Sequence, residues 1–173
     1  MPKRLEELIS ECRQDVVARA VESFDDALID YGDQCESPIE KAFFAGMAAL
    51  VVSPPVWSFA SFSNDPPPDD TDPPRRPGEV VIYSQVDVGS YRVDFLVEFW
   101  GDNGSRDQVV VECDGHDFHE RTKEQAERDK SRDRFLAAQG MTVMRFTGRE
   151  IWRSPIGCAR EVLHAIGSRG RRL

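Results

Sequence analysis

The chain has 173 residues, 40% of them hydrophobic, and a formal net charge of −9. That leaves room for one sizeable core rather than two full domains, and so acidic a balance argues against a protein that coats nucleic acid non-specifically, because phosphate affinity comes mainly from Lys and Arg. No apolar run approaches membrane-spanning length and Met1-Pro-Lys-Arg-Leu-Glu-Glu7 lacks the apolar stretch of a signal peptide, so a soluble, cytoplasmic protein with Cys12, Cys35, Cys113 and Cys158 as reduced thiols is expected.

From residue 3 to about 31, Leu5, Leu8, Ile9, Cys12, Val16, Ala20, Phe24, Ala27, Leu28 and Tyr31 recur at helical spacing, which predicts one long amphipathic helix or two shorter ones, serving as scaffold or oligomer contact. Ser37-Pro-Ile-Glu40 reads as the start of a second helix: Ser37 suits the N-cap, Pro38 the first helical position, and Glu40 can close a capping box. Pro54 and Pro55 stop that helix after about Val52. The run from Ser61 to Gly78 is too proline-rich and acidic to pack, and a mobile surface insertion is expected there.

A strand from about Glu79 to Val88 and a turn at Gly89-Ser90 lead into Tyr91-Arg-Val-Asp-Phe-Leu-Val-Glu98, and the turn-rich 101–107 leads into Val109-Val-Val-Glu-Cys-Asp-Gly-His-Asp-Phe-His119. Together these predict a three-stranded antiparallel meander. Beyond it, Glu120 to Gln139 reads as a highly charged helix ended by Gly140, Met141 to Phe146 as a strand, and Glu150 to Ile166 as helix interrupted at Pro155.

The meander carries carboxylates where strands should be apolar. Strand parity puts Asp94 and Glu112 on one face, and cross-strand neighbours lie about 5 Å apart at Cβ. Two acids that close repel unless a cation lies between them. Oxygen ligands favour magnesium or manganese, with water in the remaining positions; the alternative is a solvated hairpin face with arginine partners. A zinc set of Cys113, His116 and His119 lacks a fourth ligand nearby. Asp129, Arg132 and Asp133, at i, i+3 and i+4, read as a surface ion-pair ladder. The cations from Arg121 to Arg153 that follow the hairpin leave room for a local basic rim despite the net charge.

In order and spacing, Ser37-Pro-Ile-Glu40, Val93-Asp94-Phe95, Val111-Glu-Cys-Asp-Gly-His-Asp-Phe-His119, Asp129-x-x-Arg132-Asp133 and Val143-Met-Arg-Phe146 resemble the restriction-endonuclease-like (PD-(D/E)XK) superfamily, and within it the very-short-patch repair endonuclease group and its relatives. The resemblance implies an α/β (α+β) domain over residues 36–173, following an N-terminal helical extension at 1–35. Its sheet is mixed, the antiparallel meander plus a later strand, and helices flank it.

It also implies a magnesium-dependent endodeoxyribonuclease, with Asp94 and Glu112 as ligands of Mg2+ or Mn2+, the Cys113 backbone carbonyl beside them, and Glu40 contributing through water. His119 would move the proton. The lysine usual two positions after the second acid is absent; Asp114 stands there, and Lys130, or less readily Lys123, would reach in from the following helix. Arg121, Lys123, Arg128 and Arg132 would contact DNA, and the first helix could pair two copies of the chain. Two alternatives stand beside this reading: a nucleic-acid-binding module on the same fold without catalysis, and a protein-interaction domain whose hairpin acids are structural.

Overall fold

The computed structural model describes residues 3–51, 60–63, 75–101, 103–115 and 123–169. Helix α1 spans Lys3–Tyr31 without a break, and after a single 3-10 turn at Gly32–Gln34 helix α2 spans Pro38–Val51. Five strands follow, β1 (Ala60–Ser63), β2 (Val80–Val88), β3 (Tyr91–Trp100), β4 (Arg106–Asp114) and β5 (Thr142–Thr147), with helix α3 (Lys123–Ala138) between the last two and helices α4 (Gly148–Arg153) and α5 (Pro155–Arg169) closing the chain.

The strands lie in sequence order in one mixed sheet. The meander β2–β3–β4 is antiparallel, while β1 joins β2 and β5 joins β4 in parallel. The fold is therefore the expected α+β sheet with its later strand, plus one strand that was not expected. Residues 61–63 belong to β1 rather than to a proline-rich insertion, because Phe62 packs its ring 4.8 Å from Phe44 and 5.5 Å from Tyr31. Residues 64–74 lie outside the described residues.

Alternation along the strands divides the apolar side chains between two layers. On one side Ile82, Phe95, Val97, Val109, Val111 and Phe146 meet Phe43 and Met47 of α2 and Val162 and Ile166 of α5. Each such side chain contributes about 1.5–3 kcal/mol when fully buried. The two helices approach closely: a Cβ on Gly46 would stand 2.5 Å from the Pro155 carbonyl oxygen, so no larger residue fits there. On the other side a smaller cluster, Tyr83, Val93, Leu96 and Val110, is covered by Leu136 and Phe135 of α3.

Only the end of α1 joins this core, through Phe24, Ala27, Leu28 and Tyr31. Upstream its apolar stripe is open to solvent, with Val16, Val17 and Val21 each more than half exposed.

Candidate active site

The meander does not stay zipped. Strands β3 and β4 pair from Trp100↔Arg106 to Phe95↔Val111 and then part. Past that point β3 continues along β2, ending at Val88↔Tyr91, and β4 continues along β5 through Glu112↔Arg145 to Asp114↔Thr147. Asp94 and Glu112 are the first residues beyond the last pair, one on each arm of the fork.

The strand alternation changes step at the same place. Val81 and Tyr83 pack on the α3 side, and so do Val86 and Val88; in β3 both Leu96 and Val93 do. Each strand has slipped one side chain, at Gln85 and at Asp94, while the pairing Ser84↔Phe95 and Val86↔Val93 stays in register. Gln85 carries the local distortion at φ 52°, a region that costs a non-glycine residue about 1–3 kcal/mol. Simple parity, which would set Asp94 and Glu112 on one face, thus fails at Asp94. Its side chain turns into the fork, where Oδ2 accepts a 2.7 Å hydrogen bond from the Cys113 backbone N–H.

That bond caps a donor that lost its strand partner when β3 turned away. In an extended strand the N–H and C=O of a residue face the same edge, so the Cys113 carbonyl also opens onto the fork. Burial lifts the Asp94 carboxyl above its ordinary range; the Cys113 hydrogen bond works against this, Glu40 adds to it and Arg132 opposes it. Asp94 is thus held between a carboxylate from the α2 side and a guanidinium from the α3 side.

Glu40 takes the N3 place that Ser37-Pro-Ile-Glu40 predicts, but its carboxylate reaches the Glu36 N–H and the Ser37 hydroxyl rather than the Ser37 N–H of a closed capping box. Its backbone N–H donates to Ser37 Oγ at 3.3 Å, while its carboxylate accepts from Ser37 Oγ–H at 2.6 Å and from the Glu36 N–H at 2.7 Å. The Gln85 amide adds a 2.8 Å bond to Oε2 and accepts in turn from Arg92. The helix cap and the distorted strand residue are therefore one network, which fixes a buried glutamate beside Asp94.

Glu112 sits on the α3 side, 6% exposed. Arg132 places Nη1 3.3 Å from its Oε2, and Oε1 is buried with no hydrogen-bond partner. Burial pushes the carboxyl up to about 7; Arg132 pulls it down, and Asp94 raises it again. A carboxylate with an orphaned oxygen next to a second acid suits an oxygen-liganded divalent cation. Among the described residues, no cluster of three or more His, Cys, Asp or Glu side chains is arranged to hold a metal. The donors in hand are two carboxylates and a backbone carbonyl, and water or substrate oxygen would have to complete the shell.

Helix α3 departs from its expected role. Asp129, Arg132 and Asp133 are not an exposed ladder: Arg132 turns onto Glu112 with Asp129 4.0 Å from its other nitrogen, and Asp133 takes Arg145 of β5 at 2.5 Å. Lys130 stands on the exposed side of the helix, as does Arg128, so the α3 cation at the acid pair is Arg132, not Lys130. Lys123 opens the helix, but its side chain, together with His116, His119 and Arg121, lies outside the described residues. Burial raises the Cys113 thiol well above its ordinary range, which makes it a poor zinc ligand.

A mixed five-stranded sheet that forks at two acids, between a capped helix and a charged one, defines a nuclease-like α+β domain with its acids at the split. Residues 77–166 match the family REase_MTES_1575, a restriction-endonuclease-like family, and the chain belongs to it. No curated protein and no solved structure matches the chain. No helix among the described residues is long and apolar enough to cross a membrane.

Proposed function

We propose that the protein is a divalent-metal-dependent endonuclease that hydrolyses DNA phosphodiester bonds, using Mg2+ or Mn2+, with a kinship to the very-short-patch repair group that rests on the motifs around Glu40, Asp94 and Glu112. The observation that carries this reading is the buried, unpartnered Oε1 of Glu112 beside Asp94 at the strand fork. Asp94, Glu112 and the Cys113 carbonyl would hold the ion, with Asp94 positioned by the Cys113 N–H and Glu40, fixed by Gln85, contributing through water. When bound, the ion supplies positive charge to the scissile phosphate and lowers the pKa of a bound water. In this reading His119 is assigned the proton transfer, and Arg121, Lys123 and Arg128 the contacts to DNA.

Plasmid nicking tests it. Wild type nicks supercoiled DNA with Mg2+ or Mn2+ and not with EDTA, and Asp94→Asn and Glu112→Gln lose at least about 100-fold while remaining folded. Full activity in either variant ends the proposal.

Asp114 in the usual lysine position favours a second reading, DNA binding without cleavage. Salt-sensitive DNA binding with no nicking under any divalent metal selects it.

The same proposal makes the chain a homodimer through α1. Its four cations, Lys3, Arg4, Arg13 and Arg19, all precede residue 20, whereas Glu22, Asp25, Asp26 and Asp30 follow with no cation among them. Because Glu6, Glu7, Glu11 and Asp15 balance those cations, antiparallel pairing of two exposed stripes sets each acidic end against a neutral segment and keeps the two acidic ends apart. A dimer on sizing that Val16→Glu/Val21→Glu converts to monomer supports this; a wild-type monomer at micromolar concentration removes it, and the interaction-domain alternative with it.

A further inference from the structure

We infer that Arg132 is the cation of the cleavage site: parked on Glu112 in the free protein, it moves to a non-bridging oxygen of the scissile phosphate once Glu112 binds a divalent ion. The inference rests on the nuclease reading above and names the group that replaces the absent lysine.

The geometry of the pair points this way. An arginine and a carboxylate that serve only each other usually close two parallel hydrogen bonds. Here a single contact joins them, Nη1 to Oε2 at 3.3 Å. Glu112 Oε1 and Arg132 Nε are both buried and both without a partner. Leaving a buried donor and a buried acceptor unpaired is unfavourable for each, and the two orphans have opposite demands: Oε1 needs a positive group, Nε a negative one. A divalent ion carrying a phosphate oxygen meets both at once.

The rest of the helix supports the placement. Asp129 and Asp133 flank Arg132 on the same side of α3, with Asp133 anchored to Arg145 of β5, so the helix is pinned to the sheet by a neighbouring pair while Arg132 keeps two looser contacts, to Glu112 and, at 4.0 Å, to Asp129. Asp114, at the lysine position, is acidic and cannot supply the charge. Lys130 points away from the site. Arginine suits the task, since its planar fork matches phosphate and stays charged at any working pH.

The test uses the full chain and the variants Arg132→Gln and Arg132→Lys, read by single-turnover nicking with Mn2+ and by Mn2+ binding to the free protein in electron paramagnetic resonance titrations. Arg132→Gln is expected to lose about 100-fold or more in nicking and yet to bind Mn2+ more tightly, because the competitor for Glu112 is gone. Arg132→Lys, which keeps the charge, should recover a measurable part of the nicking and bind Mn2+ close to wild type. A merely structural arginine would weaken Mn2+ binding and nicking together in both variants, and that pattern overturns the inference, as does wild-type nicking in Arg132→Gln. A wild type that binds no Mn2+ and nicks nothing instead brings down the nuclease reading itself. A wild type that binds Mn2+ without nicking leaves the phosphate contact to be judged by DNA affinity: an Mn2+-dependent gain lost in Arg132→Gln supports it, and one retained there refutes it.

Discussion

Glu98 and Glu112 are buried glutamates on adjacent strands, both turned to the α3 side of the sheet, yet they are treated in opposite ways. Glu98, with no exposed surface, is satisfied on every side: Tyr83 Oη–H donates at 3.3 Å, Gln108 at 2.6 Å, and the Arg106 guanidinium stands 3.0 Å away. It lies inside the zipped part of the meander, opposite Gln108. Glu112 lies just past the fork and has one arginine contact and one empty-handed oxygen. Full compensation marks a group that holds structure; partial compensation is what the proposed metal site requires of its ligand.

The sharpest way to break this contrast is to remove the compensated carboxylate. Glu98→Ala removes the carboxylate that Arg106, Tyr83 and Gln108 share and should destabilise by about 3–5 kcal/mol in urea unfolding, far more than Glu112→Gln. Equal effects would erase the distinction.

Next is pH. The Glu112 carboxyl is raised from its ordinary 4.5 to about 7 in the folded chain, so the folded state holds its proton more tightly than the unfolded one. Its contribution is present below about pH 4.5 and is lost as pH rises toward about 7. Stability should fall by on the order of 3 kcal/mol across that window, and Glu112→Gln should flatten this part of the curve.

Adding metal should work the other way. At 100 times its Kd, Mn2+ stabilises the native state by about 2.7 kcal/mol, visible as a higher melting temperature at pH 7.5 in wild type and missing in Asp94→Asn. The smallest effect expected is from Tyr83→Phe, about 1 kcal/mol of stability with nicking unchanged, since that hydroxyl serves Glu98 and Arg75 rather than the acid pair.

Much of this was legible in the residues because local rules and tertiary need agree there. Ser37, Pro38 and Glu40 start α2 as cap chemistry requires, Pro155 separates α4 from α5, and the acids of β3 and β4 stand out against apolar strands. Three features were not read. β1 is four residues long beside a proline-rich run, and only Phe62 advertises it. The slip at Gln85 and Asp94 is a tertiary bargain between two strands and a helix cap, invisible to a period of two.

Arg132 was misread because charged helices are ordinarily solvated. The signal was present: Asp129, Arg132, Asp133 and Leu136 form one i, i+3, i+4, i+7 stripe, and since Leu136 is fully buried the three charges below it must face the sheet too. A helix this poor in apolar residues sits on the sheet through Phe135 and Leu136 together with the charges that the sheet offers, here Glu112 and Arg145.

The long first helix has a thermodynamic consequence of its own. No described residue of α1 before Phe24 joins either buried cluster, and an unsupported helical stretch of that length is only marginally stable in water. Amide hydrogens should therefore exchange in a gradient, slow near Ala27 and fast toward Leu8, and the gradient should flatten as protein concentration rises, because contact between chains would lend the outer turns the burial that their own domain does not.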